Sequence, residues 1–397
     1  MRDRMMLTFV LSHACPLKCN FCCSNREVVG PGRISLETIE SCLLGFGREE
    51  AVERFAFTGG EPFLFLDDIV AALTTARHAG IRQPFQIVTS AHWASSPDQI
   101  TQTLAPLQAL GLDLLGLSYD REHARWVTPA QIAQVCDAAA RLGIRVNITG
   151  VFWDEGDSVE AMLPALSAHP ARVRIVNMPA APIGEARRQP LTAFQVPIEK
   201  KLSCGQPGTY SLALYPDGHV YPCCSGGFQI EGRLSCGNVH TDSPARILYA
   251  ASTNFHVRLV KEFGWGLLYE IVAREAPDLL TRLPSFDQAS GVCEICRDLN
   301  VGLKDLLAPI YEPIEIEYAR TRAEFEWRTL FGDDLAVPQS CGGERLTLDT
   351  LLGRLTTDRT MRLDYLAGLL PIGADIEPAR VLAARPVAGA SPLQWVR

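Results

Sequence analysis

From about residue 5 to residue 180, short apolar or β-branched runs alternate with longer stretches of helical periodicity, and this alternation restricts the fold more than any other feature. A strand, a helix and a second strand in succession build a βα unit whose strands run parallel. Six strands are predicted: Leu7 to Leu11, Arg54 to Phe57, Phe85 to Thr89, Leu114 to Ser118, Arg145 to Thr149 and Val173 to Val176. Helical stretches open near Ser35, Asp67, Ser96, Pro129 and Ser158, at residues that cap free amides or suit a first turn. Gly47, Gly80, Gly111 and Gly143 stand where those helices should stop. The expected class is α/β, a partial (β/α)6 TIM-type barrel, two units short of the full eight.

The alternation ends after the Pro-containing stretch Met178 to Pro190, and residues 200 to 240 are rich in Gly, Cys and turn pairs. From about residue 301 the pattern is helical again, as in Leu346 to Leu355 and Thr360 to Leu370. Three segments are therefore expected: a barrel over 1–195, a small Cys-rich domain over 196–300 and a helical C-terminal extension over 301–397. An insertion around Phe255 to Pro284 has no role assigned by the sequence. The formal charge of -8 gives no broad cationic face for a phosphate backbone or an anionic membrane, so neither nucleic acid nor a membrane is an expected partner. The opening MRDRMMLTFVLSHAC is broken by Ser12 and His13 and lacks a small-residue cleavage site, and no run reaches the roughly 18 apolar residues a membrane span needs. A cytoplasmic protein is expected. In that reducing compartment thirteen cysteines, an odd number, point to metal or catalysis rather than to disulfides.

Cys15-Pro-Leu-Lys-Cys19-Asn-Phe-Cys22 puts three thiols within eight residues, directly after the first strand. Thiolates are soft ligands suited to iron–sulfur clusters and to zinc, and a [4Fe–4S] cube ordinarily takes four. Three would leave one iron able to bind a substrate or cosubstrate. A zinc knuckle completed by Cys23 or His13 is the alternative at this point.

The CxxxCxxC spacing, with Phe21 before the third cysteine, resembles the signature of the radical S-adenosylmethionine (radical SAM) superfamily, and Phe57-Thr58-Gly59-Gly60-Glu61-Pro62 after the second strand resembles that family's GGE motif. The resemblance implies a [4Fe–4S] cluster on Cys15, Cys19 and Cys22 whose unique iron chelates SAM, with Phe21, Gly59, Gly60 and Glu61 beside the cosubstrate. Two glycines allow a close backbone approach, and Glu61 can complement an ammonium group. Ser118 and Asp120 match a family position that touches the ribose or methionyl part of SAM, and Asn147 on the fifth strand is a further candidate; a polar cap at a strand end is the plainer reading of all three. Pro182-Ile183-Gly184-Glu185-Ala186 resembles a family loop that usually carries Arg where Glu185 stands.

A second set comprises Cys204, Cys223, Cys293 and Cys296. Pro216-Asp217-Gly218 reads as a tight turn between strands Ser211 to Leu214 and His219 to Tyr221, a hairpin that delivers Cys223 to one edge. With Gly237-Asn238 and the closing CxxC, this segment resembles the SPASM/twitch extension of radical SAM enzymes, in its shorter form with one auxiliary [4Fe–4S] cluster; a zinc ribbon would use the same four thiols. Of the remaining cysteines, Cys42 and Cys136 fit helical cores. Cys224 and Cys236 stand near the proposed auxiliary site, where the resemblance implies that a thiol can donate a hydrogen atom to a substrate radical; a spare buried thiol is the plainer reading.

The resemblance further implies reductive cleavage of SAM to methionine and a 5′-deoxyadenosyl radical, with the electron supplied by a reductase such as flavodoxin or ferredoxin. The expected substrate is a ribosomally made peptide that is crosslinked, epimerised or oxidised. A small molecule such as an aminocyclitol is the alternative substrate, and a non-catalytic zinc or iron–sulfur protein the remote one.

Overall fold

The computed structural model describes residues 4–23, 32–154, 156–164, 166, 173–189, 209–223, 234–285, 288–289, 291–299, 304–370 and 372. Six parallel strands form most of one sheet: β1 (Arg4–Val10), β2 (Val52–Thr58), β3 (Phe85–Thr89), β4 (Leu112–Ser118), β5 (Arg145–Phe152) and β6 (Val173–Pro179). They pair in chain order, so the connections between them are the helical crossovers α1 (Leu36–Phe46), α2 (Leu66–His78), α3 (Pro97–Ala109), α4 (Pro129–Arg141) and the short α5 (Val159–Met162). This is the partial barrel that the alternation predicts. Ser35, Ser96, Thr128 and Ser158 each accept an amide of the first turn, and Thr128 with Gln131 completes a reciprocal capping box. Gly80, Gly111 and Gly143 end their helices at positive φ. Gly47 departs from that reason, since its φ is -69° and its lack of a side chain is required by space: a Cβ there would lie 2.5 Å from the Leu43 carbonyl.

The hairpin predicted around Gly218 is present as β7 (Thr209–Leu214) and β8 (His219–Tyr221), with β9 (Gly237–Asn238) antiparallel to β8. These strands do not stand apart. They continue the sheet beyond β1, in the order β6-β5-β4-β3-β2-β1-β7-β8-β9, and the Thr8 and Ser211 hydroxyls meet at 3.1 Å.

By its contacts the chain divides into two compact units, one of 5–196 with 211–247, the other of 1–4, 197–210 and 248–397. In the first, Phe55, Phe57, Ile87, Leu115, Leu117, Val146 and Ile148 are buried, and they alternate along the strands with half-buried Gln86, Gly116, Ser118, Asn147 and Thr149. Successive strand residues point to opposite faces, so one face of this sheet is a helix-covered core and the other is polar and partly open. The second unit is helical, built on Trp265–Glu275, Tyr311–Phe331 and Leu348–Thr357, and closes over Trp265 and Trp327. The insertion noted in the sequence supplies the helices Phe255–Glu262 and Trp265–Glu275 of that core.

Candidate active site

The three cysteines of the first cluster occupy the loop after β1, at the carboxyl end of the sheet where barrel folds place chemistry. Leu17, Cys19 and Phe21 are buried in a small cluster with Ala186, against which Cys15, Cys22, Val151 and Trp153 pack. Burial, then the charges of Asp120, Cys22, Cys15 and Glu122, push the Cys19 thiol up to about 12. A metal that takes it as thiolate must therefore displace its proton. Among the described residues no three His, Cys, Asp or Glu side chains are grouped to hold a single metal ion.

Three strand ends fix this loop. From β2, the Gly60 amide donates to the Ser12 carbonyl at 2.7 Å and the Glu61 amide to the Ala14 carbonyl at 2.9 Å. A Cβ on Gly60 would lie 1.9 Å from the Ala14 oxygen, and Gly59 has φ +137° with a Cβ position 2.5 Å from the Ser12 oxygen. The close approach that these glycines allow is thus made to the cysteine loop itself. From β4, Glu122 accepts the Asn20 amide at 3.1 Å, and the His123 ring lies 5.8 Å from that of Phe21. From β6, the Glu185 amide donates to the Cys22 carbonyl at 2.8 Å, and Gly184, at φ +56°, leaves no room for a side chain beside it. The Pro182–Ala186 loop is a clamp on the third cysteine.

Glu61 is buried, and its carboxylate is already engaged. Thr89 Oγ1 donates to Oε1 at 2.7 Å, the Ser90 amide and hydroxyl donate to Oε2 at 3.0 and 2.6 Å, and the Phe63 amide reaches Oε1 at 3.2 Å. Burial pushes its pKa up, but His92, 3.7 Å from Oε2, with the hydrogen bonds of Ser90 and Thr89, outweighs that and holds it below the ordinary carboxylate value. Within the chain this side chain ties the end of β2 to the end of β3. Asp120 is similar: Oδ1 accepts the Glu122 and His123 amides and His123 Nδ1, and Oδ2 accepts the Val151 amide. Ser118 and Asn147 stand on the half-open face, one on β4 and the other on β5, and their side chains have no hydrogen-bond partner among the described residues.

Sequence reasoning did not find Thr89, Ser90, His92, Glu122 or His123. Only the Asp-x-x-His spacing of Asp120 and His123 carried a local signal, that of an aspartate capping a following turn.

The members of the second cysteine set fall in different parts of the chain. Cys223 follows β8 in the first unit, Cys293 and Cys296 lie three apart on the helix Val292–Arg297 of the second, and Cys204 falls outside the described residues. Cys224 also lies outside them. Cys236 is buried, its Sγ 3.7 Å from the Leu234 carbonyl. Cys42 and Cys136 are core residues of α1 and α4, as expected, and burial pushes both thiols up to about 12. No described helix is long and apolar enough to cross a membrane.

Residues 9–163 match the family model of the radical SAM superfamily. Among curated proteins, the chain is 22% identical over 303 residues to YydG of Bacillus subtilis (strain 168), described as a peptide biosynthesis protein, covering 73% of this chain and 90% of that one. Similar solved structures include anSMEcpe with bound AdoMet and the Cp18Cys peptide, at TM-score 0.48 and 12% identity over 77% of this chain and 98% of that one. BtrN in complex with AdoMet and 2-DOIA aligns at TM-score 0.38 and 15% identity over 66% and 88% of the two chains.

Proposed function

We propose that this chain is a radical SAM enzyme that modifies a ribosomally made peptide. Radical SAM enzymes use a [4Fe–4S] cluster and SAM: the cluster supplies one electron, SAM is cleaved to methionine and a 5′-deoxyadenosyl radical, and that radical takes a hydrogen atom from the substrate. In our reading Cys15, Cys19 and Cys22 hold the cluster. The observation that carries it is the loop itself, a three-thiol segment fixed by the Gly60 and Glu61 amides on one side and the Glu185 amide on the other. Fixing the loop keeps the thiols in register when iron binds, so that orientation is built in before SAM arrives. Phe21, Gly59, Gly60 and Glu61 then form the wall of the SAM site, and Ser118 and Asn147, whose side chains have no hydrogen-bond partner among the described residues, face the cosubstrate or substrate.

The peptide substrate rests on the similarity to YydG, which extends well beyond the radical SAM domain to 90% of that protein. We further read Cys204, Cys223, Cys293 and Cys296 as ligands of one auxiliary [4Fe–4S] cluster of SPASM/twitch type, on their sequence pattern alone. Cys224 and Cys236 are the candidate hydrogen-atom donors should the product be an epimer. A cytoplasmic location, with a flavodoxin or ferredoxin as electron donor and no nucleic acid or membrane involved, completes the reading.

Anaerobic reconstitution tests it. About eight irons per chain, four in each cube, with SAM-dependent 5′-deoxyadenosine and a mass change in a precursor peptide encoded beside the gene, is the expected result. Bound zinc without SAM cleavage refutes it. SAM cleavage coupled only to a small molecule such as an aminocyclitol replaces the peptide by the alternative substrate. For the donors, deuterium enters the product in heavy water and fails to enter in Cys224→Ala or Cys236→Ala; labelling retained in both variants removes them from the mechanism.

A further inference from the structure

Asp120 was expected to reach SAM, yet its four contacts all lie within the protein: the Glu122 and His123 amides at 3.1 and 3.0 Å, His123 Nδ1 at 2.8 Å and the Val151 amide at 3.2 Å. A carboxylate so surrounded accepts and does not donate, so Nδ1 carries the imidazole proton. In the neutral ring Nε2 is then left as an acceptor. It has no hydrogen-bond partner among the described residues. The orientation is set further by the ring's packing, 5.8 Å from Phe21, which itself lies 6.3 Å from Trp153. Phe21 sits between the second and third cysteines of the loop, in the small cluster with Cys19 and Ala186. One directional acceptor is thus held beside the Phe21 ring at the edge of the cysteine loop, an environment suited to a flat nucleoside with N–H and O–H donors rather than to an anion.

We propose that His123 accepts a hydrogen bond from the adenosyl part of SAM, and that Asp120 is a positioning residue that fixes its tautomer. The assignment rests on the reading of Cys15, Cys19 and Cys22 as the SAM cluster loop. The donor is the exocyclic amine or a ribose hydroxyl, and both have the same chemistry toward Nε2.

The test is equilibrium binding of SAM to the reconstituted, unreduced full-length protein, with iron content measured on the same samples. His123→Phe keeps a ring against Phe21 but lacks the acceptor, and it is expected to weaken SAM binding about tenfold with iron unchanged. His123→Gln, which retains an acceptor, recovers most of the affinity, and Asp120→Asn, which can present an N–H to the ring and invert the tautomer, weakens it as His123→Phe does. Two SAM analogues identify the donor, one with the 6-amino group replaced by a carbonyl and one without the 3′-hydroxyl. One of them binds the parent about tenfold more weakly than SAM, and that discrimination disappears in His123→Phe. Because it is a ratio, it stays readable even where a variant takes up less iron. SAM affinity in His123→Phe within twofold of the parent, or discrimination that survives in the variant, overturns the proposal alone. A parent that carries its cluster and binds no SAM overturns the underlying reading and the proposal with it.

Discussion

The two units of this molecule bury charge in opposite ways. In the sheet unit the buried carboxylates of Glu61 and Asp120 stand at the ends of strands and are satisfied mainly by backbone amides, hydroxyls and a nearby histidine. In the helical unit, buried arginines face buried or half-buried glutamates. Arg258 donates to Glu262 at 2.9 Å and Arg322 to Glu326 at 2.9 Å, with Tyr318 and Tyr365 closing the network through Glu262 Oε2 and Glu326 Oε2. Arg362, fully buried, donates to Glu315 at 2.8 Å and to the Leu355 carbonyl at 2.9 Å. A carboxylate held by N–H and O–H groups positions the backbone around it without a fixed counter-cation. A buried ion pair constrains which helices can meet, since either charge left alone in that core would be strongly disfavoured. The first arrangement serves a site and the second serves a fold.

The largest effect is expected where the site has no slack. Gly60→Ala places a Cβ against the Ala14 carbonyl, 1.9 Å away if nothing moves, and should abolish both iron uptake and 5′-deoxyadenosine formation while circular dichroism stays at the parent level. Full activity in that variant would mean that the cysteine loop tolerates displacement. Arg362→Met leaves the buried Glu315 with only the longer contact to the exposed Arg359 at 3.6 Å and should cost about 3 kcal/mol in denaturant unfolding, with the per-molecule SAM cleavage of the folded fraction unchanged. If cleavage falls in that folded fraction, the division between site and fold does not hold. Glu61→Gln keeps the shape but weakens the tie to Ser90 and Thr89; a loss of about 1–3 kcal/mol is expected together with slower SAM cleavage. An effect on stability alone would reduce Glu61 to a structural cap. The same residue sets an acid limit. Its folded-state pKa is held below the ordinary value, so its stabilisation is complete above about pH 4.3 and fades as pH falls through the folded pKa. Melting curves of parent and Glu61→Gln should therefore converge on acidification. The smallest change is expected from Arg328→Ala, whose ion pair with the exposed Asp333 should contribute no more than about 0.5 kcal/mol.

Much of the sheet unit was legible because the signals that specify it are local. Ser35, Ser96 and Ser158 announce helix starts through bonds to residues three positions away, and the strand at Phe85–Thr89 occupies the residues that its apolar run marks. The second cysteine set was less legible. Its members are spread over 93 positions, from Cys204 to Cys296, and spacing across such a gap carries no geometry. The buried pairs of the helical unit were invisible for the same reason, because Arg258 and Tyr318 are 60 residues apart and either could have been a solvated side chain.

The order of strands and helices, their caps, and the position of Cys15, Cys19 and Cys22 at the end of the first strand follow from periodicity and short-range hydrogen bonding, which the chain carries in any sequence window. Tertiary structure alone decided what the neighbouring motif touches within the chain. Gly59 and Gly60 pack on the cysteine loop rather than standing free, Glu61 binds Ser90 across 29 positions, and Asp120 turns inward to hold His123 and the Val151 amide. These contacts join strand ends that are distant in the chain, and a partner at that distance is chosen by the fold.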